Sequence, residues 1–181
     1  MYVGGNTNTS TFLISYKHYY TIFFYKIQPN KTNLYIFLIE EIPSQLQKHE
    51  KRFSFNAIQK DARYRDYKEA FFWLQESMIV NIAYNTTEPN IGLRLNRESS
   101  ALKCYMGDTG LLISLAFNEK GLVDEEIYKK ILFNKLSFNE GMIMENIVAQ
   151  MLTATGKKLY FYFNYDKQDS LNNMEIDFLI T

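Results

Sequence analysis

The spacing of apolar residues divides the chain into three zones with different predicted structure. Residues 1–40 are rich in Tyr and Phe but follow no steady period of two or 3.6, so they predict an atypical aromatic-rich N-terminal segment. Between residues 41 and 106 the period is first helical and becomes strand-like after Met78. Residues 107–181 show the same change of period after Gly156, a residue suited to end a helix.

The second zone predicts three short helices followed by a two-stranded hairpin. Pro43 suits the first turn of one helix, and Ser54 or Asn56 suits the cap of a second. A polar turn then separates strand-like runs at 79–84 and 92–95. The third helix is predicted from apolar residues at helical spacing, namely Tyr67, Ala70, Phe71, Leu74 and Met78. Residues 41–106 are therefore interpreted as a winged-helix-like domain.

The third zone predicts the succession helix, strand, turn and strand. Asp108 suits the cap of a short helix, and a longer helix is predicted over 139–155. Strands are predicted over 158–163 and 175–180. This order would open a three-layer nuclease-like core. The predicted fold class is mixed α/β (α+β), with a winged-helix-like domain followed by an incomplete restriction-endonuclease-like α/β domain over 107–181.

Composition narrows the function classes. The 20 basic and 20 acidic residues balance, so no overall charge draws the chain toward nucleic acid or an anionic membrane. The single cysteine, Cys104, excludes an intramolecular disulfide, lies in an apolar run and is predicted to be a buried structural thiol. No apolar run reaches the roughly 20 residues that a membrane-spanning helix needs. We therefore expect a cytoplasmic protein without a membrane partner.

Six segments that resemble a known family occur in this order along the chain, at 42–46, 73–74, 103–112, 141–146, 159–162 and 175–178. Together they resemble the C-terminal region, domain of unknown function 4143, of bacterial and archaeal AAA-type ATPases. The resemblance implies a winged helix followed by a restriction-endonuclease-like domain, after an ATPase domain that has no counterpart here. Because no glycine-rich loop followed by Lys and Ser or Thr is present, ATP is not expected as a cofactor.

Two carboxylates are the candidate site residues that this resemblance implies. Glu145 on the long helix and Asp177 on the last strand match the first two acids of a metal-dependent nuclease core. The acid and the lysine of a following strand are absent, so we expect no catalysis and, at most, weak Mg²⁺ binding by Glu145 and Asp177. A structural role is favoured for both acids. Glu175 is expected to lie on the opposite face from Asp177.

The function expected from these features is binding rather than catalysis. We expect a non-catalytic, truncated protein that serves as a protein-interaction or interdomain module, with a protein or a missing ATPase half as partner and no small-molecule substrate. The alternative is a DNA-binding winged helix with a degenerate nuclease core. Its phosphate contacts would come from basic residues, namely Lys51, Arg52, Lys60 and Arg63.

Overall fold

The computed structural model describes residues 29–48, 52–117, 140–165, 171 and 173–181. These residues form four α-helices and one four-stranded sheet, which confirms the predicted mixed α+β class. The helices are α1 (Thr32–Gln47), α2 (Tyr64–Glu76), α3 (Thr109–Phe117) and α4 (Glu140–Ala154). The strands are β1 (Val80–Thr86), β2 (Arg97–Met106), β3 (Leu159–Asn164) and β4 (Met174–Ile180). Most of the predicted aromatic-rich segment lies outside the described residues.

The sheet is open and mixed, with the strand order β2-β1-β3-β4. Strands β1 and β2 pair antiparallel, β1 and β3 pair parallel, and β3 and β4 pair antiparallel. The β1–β3 pairing joins strands from the two predicted domains, 41–106 and 107–181, in one sheet. The division of the chain at residue 106 stays a prediction.

Helices cover both faces of the sheet. Cross-strand pairing places Lys103 beside Ala83 on one face and Leu102 beside Tyr84 on the other. On the second face, burial raises the pKa of the Tyr84 hydroxyl, and Tyr64 of α2 raises it further. On the first face, α4 reaches the buried side chains of β2. The sheet is therefore the middle layer between α2 and α4.

Helix α1 differs from its prediction. It begins at Thr32, inside the zone without a steady period, and it holds Pro43 in its interior rather than in its first turn. Proline lacks an N–H and disrupts the hydrogen bond to the residue four positions earlier, so packing must hold this helix together. The packing comes from a stripe of buried side chains at helical spacing: Tyr35, Leu38, Ile39, Ile42 and Leu46. The crowded aromatic residues further upstream concealed this stripe.

The second zone is confirmed in part. Helix α2 forms as predicted, with Tyr67, Ala70, Phe71 and Leu74 buried. The helix predicted after Ser54 or Asn56 is only a 3₁₀ turn, Phe55–Ala57. Met78 does not belong to the buried face, because it follows the end of α2 and is 85% exposed.

The hairpin turn is longer than predicted. The second strand is Arg97–Met106 rather than 92–95. Residues 92–95 form a local turn, since the Gly92 backbone N–H donates to Asn90 Oδ1 at 2.9 Å and the Leu95 N–H donates to the Gly92 carbonyl at 2.8 Å. These contacts satisfy the backbone groups that a strand would have offered to β1.

The predicted helices and strands of the third zone are confirmed, whereas its likeness to a nuclease core stays a prediction. Asp108 caps α3, because its Oδ1 accepts from the Leu111 N–H at 2.7 Å. Gly156 ends α4 with a φ of 79°. Helix α4 and strands β3 and β4 lie where the period predicts them. Cys104 is 1% exposed, as expected for a structural thiol.

Candidate functional site

A fully buried lysine lies at the centre of the candidate site. Lys103 of β2 has 0% exposure, and its Nζ lies 5.1 Å from the ring centroid of Phe161 on β3. Nζ donates to Glu175 Oε1 at 3.0 Å and to Asp177 Oδ1 at 2.8 Å, both on β4. Two strands separate β2 from β4, a span of about 14 Å that the lysine and carboxylate side chains bridge together. The small Ala83 beside Lys103 leaves room for this crossing.

The two acids of β4 share one face. Residues two apart in a strand point the same way, so the expectation that Glu175 faces away from Asp177 was wrong. Tyr160 pairs with Leu179 and Tyr162 with Ile176, which leaves both Asp177 and Phe178 opposite Phe161. This bulge brings the Phe178 ring to 5.4 Å from that of Tyr105, beside the ion pairs.

The second candidate acid contacts a buried tyrosine. Tyr105 lies on the Lys103 face of β2 and its hydroxyl donates to Glu145 Oε2 of α4 at 3.2 Å. Burial raises the pKa of the Tyr105 hydroxyl, and the charges of Glu145 and Asp177 raise it further, so the hydroxyl stays a neutral donor. Glu145 and Asp177 therefore both act on one buried group. Their role as metal ligands stays a prediction.

Asn146, next to Glu145, fastens α4 to the end of β2. Its Oδ1 accepts from the Met106 N–H at 2.7 Å, and its Nδ2 donates to the Met106 carbonyl at 3.1 Å and to Thr109 Oγ1 at 2.9 Å. One turn later, Gln150 Oε1 accepts from the Thr109 N–H at 3.1 Å and from its hydroxyl at 2.8 Å. These contacts fix the helix position from which Glu145 reaches Tyr105.

The charges of the site are unevenly distributed between its interior and its surface. Burial, the largest influence, lowers the pKa of Lys103, but Asp177 and Glu175 together outweigh it and the net pKa lies above the usual 10.5. The ammonium therefore stays charged between the two carboxylates. Two carboxylates thus bind one buried lysine, and the third, Glu145, contacts Tyr105 instead.

The sequence did not reveal the role of Lys103. The lysine beside the two acids of β4 comes from β2, and its contacts join residues 72 and 74 positions apart. The available signal was the alternation in β2. Leu102, Cys104 and Met106 form an apolar face, so Lys103 must lie on the other face.

The four basic residues proposed to bind DNA do not form one described patch. Lys51 lies outside the described residues. The half-buried Arg52 guanidinium lies 4.4 Å from the ring centroid of Phe163 on β3. Lys60 and Arg63 are exposed near the start of α2, where the Arg63 N–H donates to Asp66 Oδ2 at 2.9 Å.

The fold and the site define an α+β domain built around a buried lysine–carboxylate cluster. The chain belongs to the family Domain of unknown function (DUF8612), whose model matches residues 24–121. Comparisons with curated proteins and with solved structures found no match. Within the described residues, the search for a helix long and apolar enough to cross a membrane found none.

The resemblance to domain of unknown function 4143 and to AAA-type ATPases was wrong, because the matching family is a different one. Several of the motifs that suggested it have local structural reasons. A Cβ at Gly107 would overlap the Met78 carbonyl oxygen, Asp108 caps α3, and Asn146 binds the end of β2. Caps and close backbone contacts of this kind occur in unrelated folds, so they do not identify a family.

Proposed function

We propose that this chain is a non-catalytic protein-interaction module that binds an extended segment of a partner protein at the outer edge of β4. The supporting observation is the position of β4 at the end of the sheet. Among the described residues only β3 pairs with it, so the backbone groups of its outer edge lack a neighbouring strand. Such a row of N–H and C=O groups pairs readily with an added strand.

The side chains of β4 also favour an added strand. None of its seven residues is fully buried, although β4 belongs to the only sheet among the described residues. Met174 and Ile180, at its two ends, are 52% and 45% exposed. A neighbouring strand would cover part of this apolar surface, which stabilises the complex through the hydrophobic effect.

The non-catalytic part of the proposal rests on how the polar groups are occupied. The Lys103 side chain is 1% exposed and cannot contact a substrate. One oxygen of Glu175 and one of Asp177 bind its ammonium, so Mg²⁺ would compete with a buried cation for these ligands. Within the described ranges, no group of three or more His, Cys, Asp or Glu side chains could hold a metal ion.

A peptide-binding experiment tests the edge-pairing proposal. The probe is a short fluorescein-labelled peptide of alternating valine and threonine, blocked at both ends, and binding is measured by fluorescence anisotropy. We expect saturable binding that is lost when alternate backbone nitrogens of the peptide are methylated, because methylation removes the N–H donors that strand pairing needs. Equal binding by the methylated and unmethylated peptides would contradict edge pairing.

DNA binding by a winged-helix-like region, beside a degenerate nuclease-like one, is the second candidate function. The exposed Lys60 and Arg63 favour it. The exposed acids Asp66, Glu69 and Glu76 of α2 weaken it, because negative charges on the same helix repel phosphates. Binding that falls steeply with salt and weakens in Lys60→Ala and Arg63→Ala would support this candidate.

Mg²⁺-dependent DNA cleavage that disappears in Asp177→Asn would contradict the non-catalytic proposal.

A further inference from the structure

The carboxylates on β4 are only partly neutralised. Lys103 binds Glu175 through Oε1 and Asp177 through Oδ1, whereas Oε2 and Oδ2 have no hydrogen-bond partner among the described residues. The Glu175 and Asp177 side chains are 37% and 48% exposed, but the Lys103 side chain is only 1% exposed. The positive charge is therefore buried beneath the sheet surface, and the free carboxylate oxygens can meet a partner.

The spacing of these two acids matches that of a neighbouring strand. Glu175 and Asp177 are two residues apart on the same face, which corresponds to about 7 Å along a strand. A strand added beside β4 would place its own alternate side chains at the same spacing on that face. Two basic side chains at alternate positions would thus come opposite the two acids.

Resting on the proposed function, we infer that the segment bound at β4 is basic, with Lys or Arg at two alternate positions that face Glu175 and Asp177. Antiparallel pairing with β4 of a second copy would instead bring two more carboxylates to this face. Like charges on neighbouring strands destabilise their pairing, so the same acids disfavour self-association. The surplus negative charge selects the partner, while the unpaired backbone supplies the hydrogen bonds.

A charge series of peptides tests this inference. Three blocked peptides alternate valine with arginine, threonine or glutamate, and each is titrated into the full chain and followed by fluorescence anisotropy. The same titrations use Glu175→Gln, which keeps the Asp177–Lys103 pair, and Glu76→Gln, which removes an exposed carboxylate from α2 as a matched control. Circular dichroism verifies that each variant is folded.

We expect the arginine peptide to bind about tenfold more tightly than the threonine peptide at low salt, as two exposed ion pairs would give. This ratio should shrink with added salt and in Glu175→Gln, but not in Glu76→Gln. Equal binding of the three peptides, with sensitivity to backbone methylation retained, would overturn the inference and leave the proposed function standing. Binding that is insensitive to methylation, or no binding by any peptide, would overturn both.

Discussion

At the scale of single residues, the ion pairs of Lys103 explain how a charged side chain can be buried against the sheet. An ammonium without exposure to water is costly unless carboxylates pair with it. In both ion pairs the two partners differ in burial, because the lysine is buried and each acid reaches solvent. Removing the lysine and removing the acids should therefore have different consequences.

Replacing both acids should cost more stability than replacing the lysine. In Lys103→Met the acids can regain water, whereas Glu175→Gln/Asp177→Asn leaves a buried ammonium without a counter-charge. We expect the double variant to lose roughly 3 kcal/mol or more of the free energy of unfolding at pH 7, and Lys103→Met to lose less. Urea unfolding of the three proteins measures the difference. A larger loss in Lys103→Met would contradict this account.

The stability of the wild type and that of the double variant should respond differently to pH. In the wild type the Lys103 pKa lies above its usual 10.5, so the stabilisation by the ion pairs is complete below pH 10.5 and is lost as pH rises through the folded-state pKa. In the double variant only burial acts and lowers the pKa, so stability should instead rise from pH 7 toward pH 10. Urea unfolding at these two pH values tests the sign, and parallel pH dependence in both proteins would refute it.

At the scale of elements, helices α2 and α4 end in the same way with different residues. After α2, the Met78 and Ile79 N–H groups donate to the Gln75 and Leu74 carbonyls at 2.9 and 3.0 Å. After α4, the N–H groups of Gly156 and of the next residue make the equivalent bonds at 2.9 and 3.2 Å. The residue at the turn is left-handed in both, with φ of 58° at Met78 and 79° at Gly156.

This comparison predicts opposite effects of two substitutions. Met78→Gly should raise the free energy of unfolding by about 0.5–1 kcal/mol, because glycine adopts positive φ without strain and Met78 buries little surface. Gly156→Ala should lower it by about 1 kcal/mol through strain alone, since a Cβ there meets nothing within 4 Å. Urea denaturation measures both changes, and a destabilised Met78→Gly protein would show that the exposed side chain matters.

Local sequence patterns predicted most of the helices and strands, but they missed the features that depart from those patterns. The periods of α2, α4, β3 and β4 and the glycine at 156 were sufficient, because each depends on neighbouring residues. Helix α1 was missed because dense aromatic residues blurred its stripe and Pro43 suggested a helix start. The resemblance suggested Glu145 and Asp177 as a pair of metal ligands, and that role stays a prediction. The sequence could not identify Lys103 as the partner of Asp177, because that contact depends on strand order across the whole sheet.

At the scale of the whole molecule, the site joins two parts of the chain. The family match ends at residue 121, so it includes Lys103 and Tyr105 but not Glu145 or the acids of β4. The parallel pairing of β1 with β3 unites these parts in one sheet. The matched region thus supplies the buried cation. The following region supplies the carboxylates and the outer edge of β4, which has no neighbouring strand among the described residues and where we propose that a partner binds.

Per-residue hydrogen exchange, followed by NMR on the ¹⁵N-labelled chain, tests binding at β4 most directly. With saturating arginine peptide, the account predicts slowed exchange at alternate backbone amides of Met174–Ile180, since every second amide of an edge strand faces outward. Exchange at β1 should stay unchanged, and the backbone-methylated peptide should protect no β4 amide. Protection confined to α2 or to the hairpin turn at 90–96, or its absence from β4 at saturation, would contradict the account.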